Sequence, residues 1–128
     1  MLRITKPLEE MGANIIKHNN GKTPITISGP KELVSIKYIS PVASAQIKSA
    51  LLLASLSANG VSEIIEPIKS RDHTENMLSF FGASIKSSLN EKGNNIVKIK
   101  GQPYLKAQQI IVPSDPSSAA FPIVAALI

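Results

Sequence analysis

Pro7-Leu8-Glu9-Glu10-Met11-Gly12-Ala13-Asn14-Ile15 is echoed further along the chain by Asn76-Met77-Leu78-Ser79-Phe80-Phe81-Gly82-Ala83-Ser84-Ile85. Each stretch reads as the tail of a helix that stops at Gly-Ala and passes into a strand. Glycine just past the last apolar helical position is the expected stop. The echo continues downstream. Ile25-Thr26-Ile27-Ser28-Gly29 matches Ile96-Val97-Lys98-Ile99-Lys100-Gly101, two alternating strands closed by glycine. Ile39-Ser40-Pro41-Val42-Ala43-Ser44 then matches Ile111-Val112-Pro113-Ser114-Asp115-Pro116-Ser117, each a strand, a proline, a polar turn and an alanine-rich helix. One repeat is therefore strand, helix, strand, helix, strand, strand. The chain starts late in one copy, holds a whole second copy and opens a third.

This pattern predicts helices near 5–11, 44–57, 70–81 and 116–128. It predicts strands near 14–18, 24–28, 36–40, 61–66, 83–89, 95–100 and 108–112. Asn90-Glu91-Lys92-Gly93-Asn94 and the stretch from Lys17 to Thr23 read as hairpin turns. The helix at 44–57 carries apolar residues on every side, with Ile47, Ala50, Leu51 and Ala54 on one face and Leu52, Leu53 and Leu56 on others. A helix apolar nearly all round is a buried one. The strands alternate instead, as in Ile96-Val97-Lys98-Ile99-Lys100, which suits sheets with one face in water. The expected class is α/β, with buried helices and sheets outside.

The 128 residues suit one domain. No apolar run is long enough to span a membrane, and residues 1–7 lack the apolar core of a secretory signal. The absence of cysteine excludes disulfides and thiolate chemistry and is compatible with a reducing cytoplasm. The net charge is +5, and of 14 basic residues only Arg3 and Arg71 are arginine. Nucleic acid is the first partner such a balance raises. The lysines are scattered, however, and 4% aromatics are too few for a base-stacking platform. A solvated surface accounts for most of the lysines and an anionic small substrate for a few.

Three stretches could carry chemistry. Ser44-Ala45-Gln46-Ile47-Lys48 opens the buried helix and puts a cation in its first turn, where the helix dipole disfavours one unless an anion lies near. The plainer alternative has Ser44 as a cap and Lys48 reaching water. Ser70-Arg71-Asp72-His73-Thr74-Glu75 repeats the arrangement. Ser70 or Asp72 could cap that helix, and Asp72 with Glu75 has capping-box spacing. Arg71 would recognise phosphate or pair with Glu66 or Asp72. Two such helix starts point to an anion between them. His18 and His73 have no second histidine at ligand spacing, so no metal site is expected. In the third stretch, Asp115 followed by Pro116 is a strong helix start with no chemistry of its own.

Taken in order, Pro41 to Ala54, Glu66-Pro67 with Ser70 to Glu75, and Val112 to Ala126 resemble the signatures of the 5-enolpyruvylshikimate-3-phosphate synthase family. The resemblance runs the length of the chain. It implies a fold of two globules, each built from three strand-helix-strand-helix-strand-strand units. It also implies transfer of the enolpyruvyl group of phosphoenolpyruvate to the 5-hydroxyl of shikimate 3-phosphate, without metal or organic cofactor, in chorismate biosynthesis in the cytoplasm. Carried over by residue, Ser44 would give its hydroxyl to the 3-phosphate and Gln46 would reach the shikimate ring. Ala45 would allow close backbone approach, and Arg71 would add charge at the phosphate with Ser70 beside it; Lys48 matches the motif as a further contact. The resemblance departs at Ser114, where the family carries glycine. It assigns 1–113 to the N-terminal globule and 114–128 to the first helix of the other. The family's catalytic carboxylates and its phosphoenolpyruvate clamp have no counterpart here. The chain is thus expected to be a central fragment, inactive alone, whose residues 116–128 either pack back or self-associate. A ligand-free structural domain and a lysine-rich nucleic-acid-binding module are the competing expectations.

Overall fold

The computed structural model describes residues 2–18 and 22–128. The elements run α1 (Leu2–Glu10), β1 (Asn14–His18), β2 (Lys22–Ser28), β3 (Leu33–Val34), β4 (Lys37–Ile39) and α2 (Ala45–Ser55). They continue through β5 (Ala58–Asn59), β6 (Val61–Glu66), α3 (His73–Phe80), β7 (Ile85–Leu89), β8 (Asn95–Lys100) and α4 (Pro116–Leu127). β1 and β2 form an antiparallel pair, and β4-β6-β8-β7 form a four-stranded sheet. Within that sheet β4 runs parallel to β6, while β8 is antiparallel to both β6 and β7. The two-residue strands β3 and β5, which the sequence pattern does not reveal, pair in parallel.

The internal repeat survives as matched backbone geometry. Gly12 adopts φ 103° and Gly82 φ 96°, a left-handed conformation that residues with a Cβ rarely adopt. After α3 the Gly82 N–H donates to Ser79 O and the Ala83 N–H to Leu78 O, both at 2.9 Å. After α1 the Gly12 N–H donates to Glu9 O at 2.9 Å and the Ala13 N–H to Leu8 O at 3.0 Å. The same pair of crossed bonds closes both helices, satisfying carbonyls that a helix end otherwise leaves bare.

The core lies between α2 and one face of the large sheet. Ile47, Leu51 and Leu52 of α2 pack with Ile64 of β6, Val97 and Ile99 of β8, Leu78 of α3 and Met11. Each fully buried leucine contributes about 1.5–3 kcal/mol, so Leu51 and Leu52 clamp α2 to the sheet. The other sheet face is wet, with exposed Lys98 and Lys100 alternating with buried Val97 and Ile99.

Four expectations need correction. α2 is not buried on every side: Leu53 is 48% exposed, because the core contacts only one flank of the helix. α3 begins at His73 and not at 70, since Ser70 is held in the preceding loop by Glu66. No strand forms near 108–112; residues 104–114 are exposed, and no described strand lies beside them to complete a ladder. α4 forms where expected, yet none of its residues is buried, so it does not pack back. The turn within Lys17 to Thr23 lies partly outside the described residues. The other turn, at Asn90 to Asn94, joins β7 to β8 as expected.

Candidate functional site

The starts of α2 and α3 lie side by side. The Ser49 and Thr74 hydroxyls meet at 2.6 Å and stitch the two first turns together. Beside that stitch is an open cleft of about 300 Å³ lined by Ala45, Gln46, Ser49, Arg71, His73 and Thr74. Gln46 also lines a neighbouring cleft of about 280 Å³ with Arg3, Ile4, Ser44 and Ile47. The fold thus brings Ala45, Gln46 and Arg71 to one cleft, while Ser44 lines the neighbouring cleft that shares Gln46. Ser44 caps α2 only loosely, its hydroxyl accepting from the Ile47 N–H at 3.5 Å, and remains half-buried at the cleft wall.

Arg71 is exposed and makes no ion pair among the described residues. The two partners that could have engaged it are taken. Asp72 receives Lys69 Nζ at 2.9 Å and Asn76 Nδ2 at 3.2 Å. The Lys69 hydrogen bond holds the Asp72 carboxyl below its ordinary value. Asp72 stands at the N-cap position without capping through its side chain, and Glu75 turns inward, so the capping box does not form.

Lys48 overturns both of its expected placements. Its side chain is 1% exposed, so it neither reaches water nor lines the clefts. Its ammonium lies 3.0 Å from Glu66 Oε2 and 2.6 Å from Glu75 Oε1. These are ion pairs by distance without the alignment of directed hydrogen bonds, and Glu75 Oε2 has no hydrogen-bond partner among the described residues. The anion that the misplaced first-turn cation demands is therefore supplied by the chain itself. Glu66, the last residue of β6, also accepts from Ser70 Oγ at 2.6 Å and Asn95 Nδ2 at 3.2 Å. Asn95 is oriented in turn by the Ser87 hydroxyl at 2.8 Å. Burial pushes the Glu66 carboxyl up, but donation from Ser70 and Asn95 together with the adjacent Lys48 ammonium outweighs it and holds the group below its ordinary value. Ser70 accordingly spends its hydroxyl on Glu66.

The arrangement is a partly open cleft with one free guanidinium, one primary amide, hydroxyls and a histidine at the positive ends of two helices. That donor set suits a small anion with hydroxyl groups. Sequence reasoning missed the buried cluster because Glu66 and Glu75 each had a local explanation, a surface ion pair for one and a capping box for the other. Among the described residues no group of three or more His, Asp or Glu side chains is placed to hold a metal ion, and no helix is long and apolar enough to cross a membrane.

Comparison with known proteins gives a consistent answer. The family model for EPSP synthase (3-phosphoshikimate 1-carboxyvinyltransferase) matches residues 1–128. The 3-phosphoshikimate 1-carboxyvinyltransferase of Chelativorans sp. (strain BNC1) is 53% identical over 129 residues, covering 100% of this chain and 29% of that protein. That of Rhodopseudomonas palustris (strain BisB5) is 50% identical with the same coverage. The chain therefore spans about 29% of the length of the curated relatives it matches. The solved EPSP synthase of Acinetobacter baumannii superposes with a TM-score of 0.80 at 45% identity, over 98% of this chain and 27% of that one. The enolpyruvyl transferase NikO of Streptomyces tendae shares the fold, with a TM-score of 0.58 at 16% identity.

Proposed function

The chain belongs to the EPSP synthase family, and from that premise we propose that it supplies the shikimate 3-phosphate side of an enolpyruvyl transfer site. The observation that carries this reading is the shared cleft of Ala45, Gln46 and Arg71 between two helix starts, with the Arg71 guanidinium unpaired among the described residues. Arg71 would take the 3-phosphate as a bidentate donor. Ser44 would add its hydroxyl at the same group, and Gln46, reaching into both clefts, would bond the hydroxyls of the ring. Ala45 leaves the backbone open to close approach. The reaction would move the enolpyruvyl group of phosphoenolpyruvate to the 5-hydroxyl of the bound shikimate 3-phosphate and release phosphate, as a step of chorismate biosynthesis in the cytoplasm.

Charge stabilisation and proton transfer at the reacting carbon need groups these 128 residues do not provide. Binding without turnover is therefore the expected behaviour of the isolated chain. Calorimetric titration with shikimate 3-phosphate tests it. A charge-assisted contact is worth about 1.5–3 kcal/mol, so Arg71→Ala should weaken binding roughly ten- to a hundredfold. A folded chain that shows no saturable binding overturns the reading. The bare apolar side of α4, with Phe121 82% and Leu127 79% exposed, should also drive association between chains. Sedimentation that stays monomeric at rising concentration would dismiss that part.

A further inference from the structure

Loop residues 67–71 carry Arg71 to the cleft, and their attachment to the rest of the molecule is slight. Pro67, Ile68, Lys69 and Arg71 are exposed. Among the described residues, Lys69 pairs only with nearby Asp72. Among the described residues, the hydrogen bonds that tie this loop to the body all run from Ser70 to Glu66. The hydroxyl donates to Oε1 at 2.6 Å and the backbone N–H reaches toward Oε2 at 3.5 Å. The quality of that single anchor depends on how firmly Glu66 is held. Lys48 and Asn95 hold it from behind, at 3.0 Å and 3.2 Å on Oε2. On the other side of Arg71, Glu75 meets the same Lys48 ammonium at 2.6 Å. Both flanks of Arg71 are thus tied to one buried cation that never reaches the cleft.

We infer that Lys48, Glu66 and Ser70 are positioning residues that set the place of the Arg71 guanidinium through the loop, and that Ser70 touches no ligand itself. An arginine on a free loop would have to be ordered each time an anion binds, and that ordering weakens binding. An arginine whose neighbours on both sides are anchored has that cost met on folding. The role assigned to the anion rests on the proposed function; the ordering of the loop does not.

The test uses the whole 128-residue chain, with nitrogen-15 relaxation and amide hydrogen exchange measured for the unsubstituted protein, Ser70→Ala and Ser70→Thr. The expected result is faster exchange and greater mobility in Ser70→Ala confined to residues 68–72, with the β6 and β8 amides unchanged and Ser70→Thr restoring the loop. If the alanine variant fails to fold, Ser70→Cys, nearly the same size with a poorer donor, should show the same local loosening. A loop in either variant as ordered as in the unsubstituted chain overturns the inference. Titration with shikimate 3-phosphate adds the second readout: Ser70→Ala should bind about three- to tenfold more weakly, less than the loss in Arg71→Ala. Weaker binding with an unchanged loop would mean that the hydroxyl contacts the ligand directly, and would also overturn it. If the unsubstituted chain binds no shikimate 3-phosphate, the proposed ligand falls while the relaxation data still decide the positioning role.

Discussion

The starts of α2 and α3 and the start of α4 solve the same local problem in opposite ways. α4 opens with the better local chemistry. Asp115 Oδ1 accepts the Ser117 N–H at 2.9 Å, Oδ2 takes the Ser118 hydroxyl at 2.6 Å, and Pro116 occupies the first turn. α2 has only a long cap bond from Ser44 and a lysine where the dipole is unfavourable, and α3 has no side-chain cap at all. Yet α2 and α3 are built into the core, while α4 buries nothing. A strong cap thus lets α4 form without tertiary support, whereas buried partners let α2 and α3 form and hold with weak caps or none. The poorly capped pair depends on a polar cluster inside the protein, and that dependence can be broken.

The largest effect is expected from Lys48→Met. It leaves Glu66 and Glu75 as buried carboxylates without their cation, a loss of about 3–5 kcal/mol. The urea midpoint should fall accordingly. Adding Glu66→Gln and Glu75→Gln to the same chain should recover part of the loss, because an uncharged cluster of similar shape has no stranded charge. No recovery would mean that Lys48 acts through packing alone.

A smaller effect follows from Glu66 on acidification. Its folded carboxyl titrates below its ordinary value of 4.5 because Ser70, Lys48 and Asn95 together overcome the effect of burial. A depressed carboxyl contributes stability that is present above the unfolded value and is lost as pH falls through the folded one. Denaturation midpoints should therefore drop below pH 4.5 in the unsubstituted chain, and drop less in Glu66→Gln. Parallel curves for the two proteins would assign the acid sensitivity elsewhere, with Glu63, held down by hydrogen bonds from Lys98 and Lys37, the next group to try.

The smallest effect belongs to α4. Asp115→Ala should cost that helix about 1 kcal/mol and lower its helicity by circular dichroism. The global urea midpoint should stay where it is, because no α4 residue belongs to the core. A shifted midpoint would show that α4 is coupled to the body after all.

Much of this molecule is legible in its residues taken in order. Alternation in Asn95–Lys100, the Gly-Ala stops at Gly12 and Gly82, and the Asp115-Pro116 start are local signals, and each set an element where the structure has it. The stretches that hold Ala45, Gln46 and Arg71 could be picked out because a helix start with a misplaced cation asks for an anion nearby, while the choice of Ala45 and Gln46 within them came from the family resemblance. The identity of that anion was not local. Glu66 and Glu75 are distant from Lys48 in sequence, and each had a plausible neighbour of its own. Only the packing of α2 against β6 and α3 brings the three together out of water, where the attraction of opposite charges is strong enough to override those local choices. The strand expected near 108–112 failed for the matching reason: a strand needs a partner, and a sequence pattern states the need without supplying the neighbour.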